Sequence, residues 1–476
     1  MKALRNHRIT AALACLVLAL SAASAQEANM ARLALSDSVY TRVVVGLHGA
    51  DGDARAKDLF TPEARVQGSL DATSRQKVGE SFLYGRFGYA YEYGWRSTWR
   101  GWMDPGGTPF MLADSIPGNL SLERYSLQAG LARPLGDGWS AGLDLAYDVA
   151  LMAKHKDLRN KNTGMTFRVA PGVHWQGASL SAGLDAGYER STEKVEYSQE
   201  SSSVEHVLYS VYGLWVAQGY GYASAETKRL KENDRFFGDL QLGLKAGKVR
   251  IRNDFGLSRD SEQQSETGYN NLRHGVVHSL RWRDELRLDI GSRHTVEAGV
   301  EWTTMQGFKP LQRQELDPDS KVRVWVDVCD PVFCYYRRFD REWVGYSFGD
   351  SWKLSAGVEN LRLMQAYTEY PQRFTQRVSV LAPHVGARVP IGAAWRVTAD
   401  LTWSYCYEAA CDVSAWQLAA PLSRQYDFWT SGRLCGRVHL SWTQGRMTLG
   451  LDYGCLATTA FPGFRHETSL TLGLAL

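Results

Sequence analysis

Charged side chains recur at alternate positions of many apolar segments, and these residues could act on a solute. The acidic members are Asp144, Asp148, Asp185, Glu189, Glu297, Glu301, Asp400, Asp452 and Glu467, and the basic members are Arg250, Arg252, Arg396, Arg433 and Arg437. Alternate residues of a β-strand share one face, so we predict that these groups line the lumen of a barrel. They could set the selectivity of a pore or pocket, or opposite charges could pair and hold the barrel's shape. Both signs are mixed, so no ion preference is predicted.

Four cysteines form two closely spaced pairs. Cys329 and Cys334 flank Asp-Pro-Val-Phe, and Cys406 and Cys411 flank Tyr-Glu-Ala-Ala. In an oxidising compartment this spacing favours local loop disulfides. A metal site is the alternative, but no histidine accompanies these cysteines at ligand spacing. We therefore predict two disulfides, no metal and no cofactor.

Two further cysteines, Cys435 and Cys455, lie almost symmetrically about the turn Gln444-Gly445. Alternation turns Leu440 and Leu451 toward lipid, which points Cys435 inward and Cys455 outward. Residues on opposite faces of a sheet cannot bridge without a bulge. The pairing of these two cysteines is left open.

Histidines are available for catalysis, but no motif selects one of them. Hydrolases in barrels place Ser and His, with Asn or an acidic partner, on neighbouring strands near one rim. The candidate histidines are His206, His274, His278, His384, His439 and His466. No serine-centred motif accompanies them, so we predict no catalytic residue and no enzymatic activity.

The N-terminus has the pattern of an export signal. Lys2, Arg5 and Arg8 precede an apolar stretch over 9–20, which is followed by the cleavage motif Ala23-Ser24-Ala25. We predict a signal peptide over residues 1–25, with a mature chain that starts near Gln26. The predicted location is the outer membrane of a Gram-negative cell.

The segments that carry the charged residues have a period of two, which is typical of strands with one apolar and one polar face. One run consists of Trp139, Ala141, Leu143, Leu145, Tyr147 and Val149, interleaved with Ser140, Gly142, Asp144, Ala146, Asp148 and Ala150. Many runs are long enough for a tilted strand to cross a bilayer. The pattern predicts an all-β fold, a transmembrane antiparallel β-barrel.

Composition excludes one class of function and fits the barrel. The chain has 54 basic and 51 acidic residues, so removal of the three basic residues of the signal leaves 51 of each. That balance provides no basic field for nucleic acid. The 16 Trp, 23 Tyr and 16 Phe suit the aromatic girdles of a barrel, although a large soluble β-protein could share this enrichment.

Tight turns give the strand count. The predicted turns are 74–76, 136–138, 176–178, Gly247, 291–293, 349–351, 392–394 and 444–445, each between two alternating runs. Eight turns join sixteen strands, and one strand at each end makes eighteen, within a range of fourteen to eighteen. An even count places both termini on one side, with short turns in the periplasm and long loops outside.

Long hydrophilic connections are predicted over 96–120, 154–163, 193–234, 260–273 and 307–321. The barrel is predicted over residues 39–476, with its first strand near Val39 to His48. The last strand is expected to point Leu470, Leu472 and Leu474 outward, a pattern that suits the outer-membrane assembly machinery. Residues 26–38 form a short N-terminal segment, interpreted as a tether or a small plug.

The segment that begins with Gly79-Glu80-Ser81-Phe82-Leu83-Tyr84-Gly85-Arg86, and continues to Tyr91 and Trp95-Arg96, resembles the early hairpin of an uncharacterised outer-membrane barrel family common in Bacteroidota. In that family a Gly-x-Ala/Ser-x-Tyr strand leads into a loop with a Pro-Gly or Gly-Asn element. The segment from Asp114 to Leu120 occupies that place, followed by Glu123-Arg124-Tyr125. The resemblance implies an outer-membrane β-barrel of unknown function and supplies no catalytic residues.

Taken together, the sequence predicts a barrel whose polar lumen serves as a solute channel or transporter of unknown substrate, with the 193–234 loop as a candidate gate. The alternative is a closed or plugged barrel that acts as a structural or assembly partner of another cell-envelope complex. The predicted partners are outer-membrane lipid, the barrel assembly machinery and an envelope protein. No nucleic-acid partner is predicted.

Overall fold

The computed structural model of the protein describes residues 29–36, 38–53, 55–201, 203–222, 227–267, 272–461 and 463–476. The predicted signal peptide over residues 1–25 lies outside the described residues.

The described chain is almost entirely β-structure. Its strands are β1 (Tyr40–Gly52), β2 (Ala64–Val78), β3 (Ser81–Ser97), β4 (Met111–Ala113), β5 (Gly118–Gly136), β6 (Trp139–Lys154), β7 (Arg159–Gln176), β8 (Leu180–Ser198), β9 (His206–Val211), β10 (Ala217–Tyr222), β11 (Thr227–Ala246), β12 (Val249–Glu266), β13 (Arg273–Ile290), β14 (His294–Lys309), β15 (Gln312–Leu316), β16 (Arg323–Asp327), β17 (Val332–Phe348), β18 (Lys353–Glu369), β19 (Gln372–Ile391), β20 (Trp395–Cys411), β21 (Arg433–Gln444), β22 (Met447–Thr458) and β23 (Phe464–Ala475). One α-helix, α1 (Ala419–Thr430), and two 3₁₀ turns, Met30–Leu35 and Pro105–Gly107, complete the elements.

Eighteen of these strands form one closed antiparallel barrel. Each pairs with its neighbours along the chain, and β1 closes the sheet by pairing with both β2 and β23. The remaining strands lie in the loops, as a three-stranded sheet β10-β9-β4 and a hairpin β15-β16. The predicted fold and the strand count of eighteen are therefore confirmed.

The two faces of the barrel wall differ in chemistry because side chains alternate along each strand. In β23 the side chains of Leu470, Leu472 and Leu474 are 46%, 46% and 41% exposed on the outer face. Glu467, Ser469 and the other intervening residues point to the inner face and are less exposed. The orientation predicted for the last strand is confirmed, and the charged candidates occupy the inner face of their own strands.

Short turns gather at one end of the barrel, which we call the turn end, and longer connections gather at the opposite loop end. Seven of the eight predicted turns are confirmed. The prediction at 74–76 is wrong, because β2 continues to Val78 and the chain reverses at Gly79-Glu80. Gly79 has φ +61°, a conformation that glycine adopts without the steric cost of a Cβ.

Several strands extend further toward the loop end than the sequence predicted. The connection expected over 154–163 is short, because β6 ends at Lys154 and β7 begins at Arg159. Strand β8 continues past Glu193 to Ser198, and β11 begins before Asp234, at Thr227. These extensions are polar strand segments that continue the wall beyond its apolar part, at positions where the sequence predicts loops. Among the described residues, no helix is both long enough and apolar enough to span a bilayer.

Candidate functional site in the barrel interior

The N-terminal segment Asn29–Ser36 lies along the inner wall at the turn end. Asn29 caps its 3₁₀ turn by accepting a bond from the Ala31 amide at 3.0 Å, and its Nδ2 donates to Val173 O at 3.1 Å. Ser140 Oγ donates to Ala31 O at 2.9 Å. Met30 and Ala31 are 3% and 0% exposed. The segment is therefore attached to the wall by its backbone as well as by its side chains.

Glycines in the wall leave room for this segment because they have no side chain. A Cβ on Gly142 would lie 2.2 Å from Ala31 N, and one on Gly172 would lie 2.5 Å from Asn29 Oδ1. From another strand, the guanidinium of Arg75 donates to the carbonyl oxygens of Leu33 and Ser36. These contacts hold the segment against β2 and β5–β7 and leave its role as tether or plug a prediction.

The predicted lumen residues occupy this same inner face, and most of them are paired. Asp144 accepts from Gln128 and Arg168, and Asp185 accepts from Gln241 at 3.2 Å. The other ion pairs are Glu189 with Arg235 (3.2 Å), Arg252 with Asp289 (3.5 Å), Glu297 with Arg287 (2.6 Å), Glu301 with Arg281 (2.9 Å) and Arg437 with Glu467 (3.9 Å). Asp452 forms a hydrogen bond with His439 Nδ1 at 2.7 Å. Pairing of opposite charges is the main feature of the wall.

The remaining candidates lie at different heights of the same face. Arg250 and Arg396 are exposed beside the turns that precede β12 and β20. Asp400 is directly opposite Arg437 in the ladder, and Asp148 is half-buried on β6. Arg433 is fully buried at the loop end, with its guanidinium 4.1 Å from the ring centroid of Phe428 in α1.

Several charged side chains on the inner face of the barrel are accessible to solvent. The side chains of Glu297, Arg437 and Arg281 are 52%, 48% and 46% exposed although they point inward. Solvent exposure of inward charges requires open space beside them. The barrel therefore encloses a hydrated, charged interior, as its strand number allows.

The loop between β3 and β5 crosses this interior at the loop end. Met103 N donates to Glu193 Oε1 on β8 at 2.7 Å, and Thr108 Oγ1 donates to Glu262 Oε1 on β12 at 2.7 Å. Arg337, on β17, donates to Gly106 O at 2.6 Å. Because β17 lies across the barrel from β3 and β5 in the strand order, this loop bridges the interior from wall to wall.

Two further loops meet over the same space. The loop between β8 and β11 contains Trp215, whose Nε1 donates to Gln425 Oε1 of α1 at 2.8 Å. Gln417, just before α1, donates through Nε2 to Leu214 O at 3.0 Å, and Val216 forms an antiparallel bridge with Gln417. Trp215 is 3% exposed. Loops from opposite walls are thus joined by hydrogen bonds and apolar packing.

A buried cluster of apolar side chains joins these three loops to residues of β8 and of the β1–β2 and β6–β7 connections. Its members are Leu59, Trp102, Met111, Leu112, Leu158, Val195, Tyr197, Leu208, Val211, Trp215 and Leu422. The loop predicted over 193–234 is shorter, because β8 ends at Ser198 and β11 begins at Thr227. Its residues Leu208, Val211 and Trp215 belong to this cluster, and its role as a gate stays a prediction. Helix α1 is not predicted by the strand-like periodicity of the sequence, although Leu422 and Phe428 on its buried side lie within a span of helical length.

The connection between β1 and β2, at the loop end, contains a buried lysine. Lys57 is 3% exposed, and its ammonium donates to Thr61 O. Burial, reinforced by the positive charges of Arg424 and Arg465, lowers the pKa of Lys57 to about 7. This lysine is therefore partly neutral near physiological pH.

The four cysteines of the predicted disulfides are free thiols in the structure. The Cys329–Cys334 disulfide stays a prediction, whereas distance opposes the Cys406–Cys411 disulfide. Cys406 and Cys411 both lie in β20, where five extended residues separate their Cα atoms by roughly 16 Å, well beyond the roughly 7 Å that a disulfide spans. Cys334 is buried and donates to Gly307 O at 3.5 Å, whereas Cys329 is exposed in the preceding loop.

The orientation argued for Cys435 and Cys455 agrees with the register. Cys435 is opposite Leu456 and Cys455 is opposite Gly436. The two cysteines are therefore one step out of register and lie on opposite faces. No group of three or more His, Cys, Asp or Glu within the described ranges could hold a metal ion.

Solved structures with a similar arrangement include outer-membrane transporters. The copper transporter OprC has a TM-score of 0.47 and 9% identity, over 92% of this chain and 80% of that chain. The outer membrane transporter YddB from Escherichia coli has a TM-score of 0.44 and 8% identity, over 91% of this chain and 81% of that chain. The RagAB peptide importer has a TM-score of 0.43 and 7% identity, over 88% of this chain and 72% of that chain.

No curated protein sequence matches the chain. A family model matches residues 30–476, which is most of the chain. The prediction of an uncharacterised family is thereby confirmed. The chain belongs to a family of unknown function (DUF6850).

Proposed function

We propose that this protein is an outer-membrane channel or transporter for a polar solute, with the barrel interior as the pathway and the three bridged loops as its outer gate. The exposed aliphatic residues of the outer face suit contact with lipid hydrocarbon, and the terminal amphipathic strand suits the barrel assembly machinery. The proposal includes export by the N-terminal signal and an origin in Bacteroidota. It assigns no catalysis.

The main support for the proposal is that solvent-exposed charged side chains line the inner wall beneath loops that are hydrogen-bonded to each other across the interior. A barrel with a purely structural role would need no solvent-accessible interior. A permanently open pore would need no loops joined across its loop end. The side chains of Glu297 and Arg437 are solvent-accessible on the inner face, and the hydrogen bond from Trp215 to Gln425 joins the loops above them. Both features together fit a pathway that opens when the loops part.

Bilayer recording tests the proposal directly. Refolded protein in a planar bilayer is expected to give discrete conductance steps whose frequency rises when the loop bridge is weakened. A matched variant, Val216→Cys with Gln417→Cys, would join the two loops covalently, because these residues face each other as a β-bridge. The oxidised double variant should be silent, and reduction should restore the steps. Silence from folded, reduced and unlocked protein would exclude the channel.

A second candidate function rests on the hairpin β15-β16, which stands apart from the barrel sheet at the loop end. Leu316, Val322 and Val328 in and around it are 60%, 45% and 58% exposed. These apolar side chains are exposed at both ends of the hairpin and suit contact with another protein, so we infer an envelope-protein partner as the alternative role. Deletion of residues 312–327 should abolish co-purification of that partner and leave conductance unchanged.

A further inference from the structure

The inner wall at β8, β11 and β12 contains a carboxylate on each of three neighbouring strands, Asp185, Asp239 and Asp254. They point inward because side chains alternate along a strand and the adjacent Leu240 and Phe255 are 39% and 37% exposed on the outer face. Most other carboxylates of the inner wall have a cationic partner. These three form no ion pair with a described residue, which sets this part of the wall apart.

The strand register groups the three carboxylates. Asp185 on β8 is directly opposite Asp239 on β11, and the Cβ atoms of such opposed residues are about 5 Å apart. Gln241, two residues further along β11, is directly opposite Asp254 on β12. Like charges at opposed positions of a sheet are destabilising, so the pair of Asp185 and Asp239 is favourable only with a positive charge beside it.

Several hydrogen-bond acceptors in this group lack a donor. Asp185 is 2% exposed, and its Oδ1 accepts from Gln241 Nε2 at 3.2 Å. Asp185 Oδ2 and Gln241 Oε1 are buried and have no hydrogen-bond partner among the described residues. Asp239 and Asp254 accept no hydrogen bond from the described part of the chain. Because buried acceptors without a donor are unfavourable, the group fits a ligand that donates several hydrogen bonds.

Glycines opposite these residues determine how the acceptors lie on the wall. Gly183 is opposite Gln241, and Gly256 is opposite Asp239. A Cβ on Gly183 would lie 2.7 Å from Gln241 Oε1, and a Cβ on Gly256 would lie 2.5 Å from Asp239 Oδ1. Gln241 therefore leans toward β8, and Asp239 leans toward β12, where Asp254 is two residues from Gly256. Acceptors from three strands are thus brought together.

The arginines around this group are paired with other carboxylates. Those pairs are Arg168 with Asp144, Arg283 with Glu285 (3.7 Å), Arg281 with Glu301 (2.9 Å) and Arg252 with Asp289 (3.5 Å). Arg32 of the N-terminal segment interacts electrostatically with Asp254 but forms no ion pair with a described carboxylate. An excess of negative charge therefore remains on this part of the wall.

We propose that Asp185, Asp239, Gln241 and Asp254, which we call the acidic site, bind a small organic cation. The inference rests on the proposed function and specifies it, because it names the class of solute that the interior takes. An ammonium or guanidinium group donates several hydrogen bonds and accepts none, which matches a group made only of acceptors with excess negative charge. Within the described ranges, no three His, Cys, Asp or Glu residues could hold a metal ion, so an organic cation fits the acidic site better than a bare divalent ion.

Calorimetry with putrescine, a small linear diamine, tests the proposal on full-length protein purified in detergent. Putrescine is expected to bind saturably, and butanediol, with a hydroxyl group in place of each amine, is expected not to bind. Asp239→Asn and Asp254→Asn should each weaken putrescine binding by about ten-fold, because each removes a charged hydrogen-bond acceptor. The matched control is Asp71→Asn on the inner face of β2, where Asp71 pairs with Arg86 at 2.7 Å, and it should bind putrescine as the parent protein does.

Heat-modifiable migration on gels verifies that each variant is folded, and four results would then overturn the acidic site. They are absence of putrescine binding, unchanged binding in both site variants, equal weakening by Asp71→Asn, and preferential binding of Ca²⁺. Because calorimetry does not depend on conductance, the two proposals can fail separately. Conductance steps without putrescine binding would exclude the acidic site alone, whereas putrescine binding by a silent protein would exclude the channel alone.

Thermal unfolding provides the second measurement, because a ligand that binds the folded state raises its unfolding temperature. Putrescine should raise the unfolding temperature of the parent protein and of Asp71→Asn, and should not raise that of the combined Asp239→Asn and Asp254→Asn variant. Arg32→Gln should bind putrescine more tightly, because it removes a competing positive charge near Asp254. An equal shift in the combined variant, or binding that Arg32→Gln does not tighten, would contradict the assigned position of the cation.

Discussion

Trp215 Nε1 donates a hydrogen bond to Gln425 Oε1 at 2.8 Å and thereby joins two loops that arise from opposite walls of the barrel. The ring of Trp215 also packs against Phe60 and Trp99, at centroid distances of 5.9 and 5.5 Å. One residue therefore links the connections that follow β1, β3, β8 and β20. We therefore expect these loops to move together, and the weakest contacts between them to control access to the interior.

Removal of the Trp215–Gln425 bond should open the proposed gate more often. Gln425→Ala removes one hydrogen bond between the two loops, worth about 0.5 to 1.5 kcal/mol. Because this contact stabilises the closed state, the ratio of closed to open channels should fall several-fold. Trp215→Ala should have a larger effect because it also removes the ring from the buried cluster. Open probability in planar bilayers measures both effects, with Leu316→Ala on the exposed hairpin as control. Unchanged open probability in both variants would exclude this contact from the gate.

Gly142→Leu should detach the N-terminal segment from the wall. A side chain at this position would overlap the backbone at Ala31, since even a Cβ would lie 2.2 Å from Ala31 N. We expect trypsin to cleave after Arg32 in the folded variant and not in the parent protein. Gly68→Leu is the matched control, because a Cβ there meets nothing within 4 Å. Equal protection of Arg32 in all three proteins would contradict the observed packing.

The stability of the loop around Lys57 should rise with pH. Its folded pKa of about 7 lies below the ordinary value of 10.5, so the unfolded loop binds more protons between these two values. Stability of the folded loop therefore increases from about pH 7 toward pH 10.5. Lys57→Met should remove this dependence. Hydrogen-exchange protection of residues 56–61 across this pH range measures it, and a flat profile in the parent protein would refute the lowered pKa of the buried Lys57.

Thiol labelling should distinguish Cys329 from Cys334. Cys329 is exposed and Cys334 is 4% exposed, so a membrane-impermeant maleimide should label Cys329 in folded protein and reach Cys334 only after denaturation. Peptide mapping reads out each site, and Cys329→Ser is the control for specificity. A Cys329–Cys334 disulfide peptide in unreduced protein would restore the pairing that the sequence predicts.

The sequence predicts the barrel well because strand periodicity and turn chemistry are local properties. The turn at Gly136-Asp137-Gly138 and the outward leucines of β23 follow from neighbouring residues alone. The sequence predicts the turn at 74–76 instead of Gly79-Glu80, because polar residues from Ser74 to Lys77 continue the strand without the apolar alternation seen in other strands.

Interior and outer-face contacts depend on pairings that a single strand does not encode. In β17, Arg338, Asp340 and Glu342 alternate with Phe339, Arg341 and Trp343, so both faces contain charged or large residues. Only the register with Val300 and Asn360 shows which set points outward. Likewise, the bond from Trp215 to Gln425 joins residues 210 positions apart, and no local pattern predicts such a contact.

Single-channel conductance of the Val216→Cys, Gln417→Cys double variant decides whether the joined loops gate the barrel. We expect silence while the disulfide joins the two loops, and discrete steps like those of the parent protein after reduction. Both single-cysteine variants should conduct under either condition. Steps of unchanged frequency from the oxidised double variant, with the disulfide verified by peptide mapping, would contradict the assignment of the loop bridge as the gate.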